Sequence, residues 1–152
     1  MGREAKIMPT TLGDRFIPTW GGYPPHMSSE DLNLWKKYKY KILSEAIAMY
    51  FDVGLGGQTE VPEDTTPEMA TMWLRNTQKR ADVILETIDR WVIIELRENA
   101  TSAAAGRLLQ YRELWKQDPP DDKPVILRLV SSSYDMDLNG LCQTLKIEYI
   151  RA

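Results

Sequence analysis

Two short runs dense in β-branched and aromatic residues, Asp82-Val83-Ile84-Leu85-Glu86 and Trp91-Val92-Ile93-Ile94-Glu95-Leu96, are separated only by Thr87-Ile88-Asp89-Arg90. Runs this close can hardly avoid forming an antiparallel hairpin. With the turn centred between Ile88 and Asp89, partners have numbers that sum to 177, which sets Asp82 opposite Glu95. Side chains alternate along a strand, so Arg97 projects from the same face as Glu95, and Asp82 shares it on the neighbouring strand. Two acids and one base converge. Like charges directly opposite on a half-buried sheet are unfavourable unless something offsets them. A divalent cation, a bidentate Arg97 or plain solvent exposure would each do so.

The rest of the chain gives the hairpin something to pack on. Ser28 and Ser29 before Glu30 and Asp31 start a helix expected to run from about Glu30 to Asp52, with Leu32, Trp35, Ile42, Ala46 and Met49 as its buried stripe. Gly54, Gly56 and Gly57 end it. Lys36, Lys37, Lys39 and Lys41 read as a solvated face, with a nucleic-acid contact as the alternative. Over residues 58–80, punctuated by Pro62 and Pro67, the pattern is weakest; Met69 to Arg75 fits a helix or an edge strand and is read as a strand. After the hairpin come a helix from about Ala103 to Lys116, a strand from Pro124 to Val130, a helix from about Asp137 to Leu145 and a terminal strand from Ile147 to Ile150. The expected class is α/β: a mixed sheet flanked by helices, in a domain spanning residues 28–152.

Residues 1–27 differ from all of this. Pro9, Pro18, Pro24 and Pro25 alternate with Gly13, Gly21 and Gly22, and no periodicity links Phe16, Trp20 and Tyr23. The segment reads as an extended arm. An arm of this kind needs an anchor, supplied either by its own domain or by a neighbouring subunit that Phe16, Trp20 and Tyr23 would contact.

Composition narrows the chemistry. A chain of 152 residues and 17.5 kDa has room for one domain with a sizeable core. With 19 basic and 22 acidic residues and a pI near 5.3, affinity cannot come mainly from neutralising many phosphates, although a local basic groove remains compatible. One cysteine, Cys142, excludes an internal disulfide, and one histidine, His26, excludes a zinc site of the usual kind. Any metal must be a hard cation on carboxylates. No run matches a membrane span or a signal peptide, so the chain is expected to be soluble and not secreted by that route, in the cytoplasm and with no membrane partner. Cys142 reads as a core residue, His26 as a turn or contact residue, and Ser131 to Ser133 as a loop.

A helix bearing Glu45, Asp82 on one strand, Glu95-Leu96-Arg97 on the next and a helix with Gln110-Tyr111 together resemble the PD-(D/E)XK nuclease family over roughly residues 30–130. The resemblance implies a restriction-endonuclease-like αβββαβ core. It also implies that Asp82 and Glu95 bind magnesium or manganese and that Glu45, otherwise an exposed helix glutamate, assists the metal; Gln110 and Tyr111 match residues placed after the third strand, but their own pattern reads as helix surface and helix core. Asp82, Glu95 and Arg97 would be its catalytic residues. The departure is Arg97, where the family has lysine. Arginine keeps the charge but cannot be deprotonated at useful pH, and its planar fork suits a carboxylate. Two readings follow. One is a non-catalytic assembly module that needs no cofactor, joined to copies of itself or to neighbouring subunits through the arm, as in the neck or head–tail connector of a tailed phage. The other is a magnesium-dependent DNA endonuclease or exonuclease.

Overall fold

The computed structural model describes residues 9–152; residues 1–8 of the expected arm lie outside the described residues. Helix α1 (Ser29–Tyr38) begins where Ser28 Oγ accepts the Asp31 N–H at 3.2 Å. It tightens into a 3₁₀ turn at Lys39–Ile42 and stops. Strand β1 (Ala48–Leu55) follows, so the long helix expected to reach Asp52 is two elements. Ile42, Ala46 and Met49 are spaced like a helical stripe, but Ala48 to Phe51 is buried at every position, as a strand covered on both faces must be. Helix α2 (Pro67–Thr77) occupies the stretch expected as an edge strand. Thr66 caps it by accepting the Met69 N–H at 3.2 Å, and Pro67 stands at its first turn, where proline is favoured.

Strands β2 (Lys79–Glu86) and β3 (Trp91–Arg97) form the hairpin, pairing Val83 with Ile94 and Glu86 with Trp91 in the expected register. Helix α3 (Ser102–Gln117) crosses back, and β4 (Val125–Ser131) lies parallel to β3. Helix α4 (Met136–Thr144) leads to β5 (Ile147–Arg151), which is parallel to β4. The sheet runs β1-β2-β3-β4-β5, with the first three strands antiparallel and the last two parallel. This mixed five-stranded sheet between helices is the expected α/β class, with α2 standing between β1 and β2.

A separate apolar cluster fills each side of the sheet. Helices α3 and α4 bury Leu108, Tyr111, Trp115, Leu138 and Cys142 against Ile84, Ile93 and Leu129. On the other face α1 and the 3₁₀ turn bury Trp35, Tyr38 and Ile42 against Phe51, Val83, Ile94 and Val130. The arm completes this second layer. Thr11 bridges Gly54 and Phe16 bridges Met49, both antiparallel, so the arm runs along the outer edge of β1 and covers it. The Phe16 and Trp20 rings lie 4.2 Å apart, and both pack on Phe51. The Thr10 N–H donates to Asp118 Oδ2 at 2.8 Å at the end of α3. Of the three aromatics expected to meet a partner, Phe16 and Trp20 are therefore taken up by their own domain. Tyr23 is exposed, and its hydroxyl donates to the Met27 carbonyl at 2.9 Å. Among the described residues no helix is long and apolar enough to cross a membrane.

Candidate functional site

The regular β2–β3 ladder ends at Val83 and Ile94. At the next position Asp82 Oδ2 accepts the Leu96 N–H at 2.8 Å, so a side chain takes up a donor of β3. The β1–β2 pairing also skips this level: Phe51 pairs with Val83 and Val53 with Ala81, while Asp52 between them has φ +50°. The sheet thus opens around Asp82, and acids collect there. Asp31, Asp52 and Asp82 line a recess of about 30 Å³ with Pro25, His26 and Met27, room for little more than a water. Burial first, then Asp82, raises the Asp31 carboxyl above its ordinary range.

Glu95, on β3 beside Asp82, is only 1% exposed. Arg97 lies beside the two carboxyls: its Nη2 donates to Glu95 Oε2 at 3.2 Å, while its Nη1 donates to the Leu96 carbonyl at 2.9 Å and is 3.7 Å from Asp82 Oδ2. The structure therefore brings Asp82, Glu95 and Arg97 together. Burial, followed by the hydrogen bond and charge of Asp82, pushes the Glu95 carboxyl up from 4.5 to about 9, against the opposing pull of Arg97 and Arg107. The raised Glu95 carboxyl favours its protonated form, and the Arg97 guanidinium supplies positive charge beside it.

Tyr111 seals the inner side. Its hydroxyl donates to the Arg80 carbonyl at 2.9 Å and lies 3.4 Å from Glu95 Oε2, and burial, then Glu95 and Asp82, raise its pKa. Beside it Lys79, Arg80, Arg107 and Gln110 line a cleft of about 340 Å³. Gln110 thus stands on the rim of this basic cleft, and Tyr111 is buried at its base.

Glu45 is elsewhere. It follows the 3₁₀ turn rather than riding on a helix, and Arg128 holds it with two hydrogen bonds of 2.9 and 3.0 Å. Arg128, whose side chain is 7% exposed, also donates to Glu148 at 2.7 Å and to the Tyr38 hydroxyl at 2.8 Å. This buried arginine needs carboxylates for its own charge, so Glu45 ties the α1 layer to β4 and is not brought to Asp82 and Glu95. The helix-borne acid nearest the opening is Asp31. In the sequence it looked like an ordinary first-turn acid favoured by the helix dipole. Arg107, one helical turn before Tyr111, was likewise overlooked, although i and i+4 residues share a face.

The resemblance implies magnesium or manganese, and the residues present do not fit either ion. Glu95 is hydrogen-bonded to Arg97, Asp82 takes up the Leu96 N–H, and Glu45 is bound by Arg128, so the three acids named by the resemblance are not gathered into one ligand set.

No protein-family model matches the chain, and no curated protein matches it. Among solved structures, it is similar to the crystal structure of a repair endonuclease from Pyrococcus abyssi, at 14% identity and a TM-score of 0.48. The similarity covers 86% of this chain and 49% of that one, so this chain spans about half the length of the endonuclease. Similarity at this level concerns the path of the chain and not its chemistry.

Proposed function

We propose that this chain is a non-catalytic module that uses a nuclease-like α/β fold as a building block and serves as a subunit of a larger assembly. The observation that carries the reading is the Arg97 guanidinium beside both carboxyls, hydrogen-bonded to Glu95 at 3.2 Å and 3.7 Å from Asp82. A guanidinium so placed offsets negative charge that a hydrolytic metal would otherwise offset, and arginine keeps its charge at every useful pH. The fold then persists as a packing unit, held at this point by ion pairing rather than by a metal. The phage-connector setting suggested by a free arm loses that motive, since the described part of the arm docks on its own sheet.

One observation favours the alternative of a DNA nuclease: Lys79, Arg80 and Arg107 gather at a cleft next to Glu95 and Tyr111, a surface suited to phosphate. A single assay separates the two. Supercoiled plasmid, linear duplex and single-stranded DNA incubated with the protein in magnesium or manganese should stay intact. Metal-dependent cleavage that disappears in Asp82→Ala would overturn the non-catalytic reading.

A further inference from the structure

Helix α2 has no buried residue, although it presents large apolar side chains. Met69, Met72 and Trp73 are 58%, 62% and 51% exposed, and their i, i+3, i+4 spacing gathers them on one stripe. Leu74 meets the body of the domain instead, packing near Gly57. The Trp73 indole N–H donates to Gln58 Oε1 at 2.7 Å, and Thr77 Oγ1 accepts the Gln58 N–H at 2.7 Å. The indole is thereby satisfied and held in place with its apolar surface outward. A rigid exposed tryptophan of this kind resembles the anchor of an interface more than a solvated side chain.

The charge pattern around the stripe selects the partner. Glu63, Asp64 and Glu68 lie at its N-terminal end, Arg75 and Lys79 at its C-terminal end, and among the described residues none of these forms an ion pair within the chain. Glu68 and Arg75 are seven residues apart, two turns, and so flank the stripe on the same side. An identical helix laid antiparallel across a two-fold axis near Met72 brings Glu68 of each copy to Arg75 of the other, closing two pairs at once. A parallel arrangement sets acid on acid. Acids first and bases last also suit the helix dipole, but the dipole gives no reason for Met69, Met72 and Trp73 to face water.

We infer that α2 is a self-association surface, on which two copies of this chain pair through antiparallel helices centred on Met72. The surface stands whether or not the Asp82 site is catalytic. One short helix pair falls below the area of roughly 1,200 Å² or more that stable interfaces bury, so the dimer is reversible and dependent on concentration.

The test is sedimentation equilibrium of the full chain from micromolar to millimolar concentration, with thermal melts to verify that each variant is folded. The wild type should pass from monomer to dimer. Met72→Glu should weaken the dimer at least about tenfold, and Arg75→Glu should weaken it as well. The double swap Glu68→Arg with Arg75→Glu should restore it, because acid meets base again across the two-fold. A wild type that stays monomeric throughout, bare or covered by another partner, overturns the inference. So does a dimer indifferent to Met72→Glu, or a double swap that fails to recover what Arg75→Glu loses.

Discussion

Glu95 is a carboxylic acid almost wholly out of water, with a second carboxyl beside it, and its proton is part of the fold. Its pKa is raised from 4.5 to about 9 in the folded chain, so the unfolded chain releases this proton first as pH rises. The associated stability is complete below about pH 4.5 and is lost progressively up to about pH 9. Glu95→Gln keeps the shape and a donor towards Asp82 but cannot ionise. Denaturant midpoints measured across that window should fall with pH in the wild type and stay much flatter in the variant. Arg97→Ala removes the positive charge from the pair and should lower stability by about 1–2 kcal/mol in urea unfolding at neutral pH, a modest figure because the side chain is a third exposed. The convergence of Asp82, Glu95 and Arg97 could be read from the sequence because it needed only strand alternation and a turn centre. The environment of Glu45 could not. It depends on Arg128, 83 residues away in the chain, and no local pattern signals that pairing.

At the scale of elements, the hairpin was legible and the ends of helices were less so. Val, Ile and Trp crowded around a short turn leave little choice, whereas Ala46 and Met49 continue a helical spacing past the point where the backbone changes to β1. Only packing against both layers decides between those readings, and that is tertiary information. The start of α2 did carry local signals, Thr66 before Pro67 and Glu68, which outweigh the weak strand tendency of the residues that follow. The arm could not be assigned because its anchors are contacts, not periodicity. Its role predicts a cost: Trp20→Ala removes a ring packed between Phe16 and Phe51 and should destabilise the domain by about 2 kcal/mol, read as a lower unfolding midpoint. The Arg128 cluster predicts another. Glu45→Ala leaves a buried guanidinium with less compensation and should cost about 2–3 kcal/mol, while the pH profile assigned to Glu95 stays unchanged.

For the molecule as a whole, the same chemistry is used twice with different ends. Arg97 and Arg128 each lie within ion-pair distance of two carboxylates, one at the opening of the sheet and one at the joint between α1 and β4. The surface is divided too: a basic cleft at β2 and α3 lies near the C-terminal end of α2, and acids lie at the other end of that helix. If α2 mediates self-association through these ends, raising the salt from low to high should loosen the dimer without abolishing it, because the charges are exposed and screened while the apolar stripe is not.

The most direct measurement is manganese binding, followed by calorimetry and by the paramagnetic signal of the free ion, in the wild type and in Asp82→Ala. The account predicts no stoichiometric site in either protein at neutral pH. One tightly bound ion per chain in the wild type, released protons on binding, and loss of both in Asp82→Ala would contradict it, because a cation would then take the two acids from Arg97.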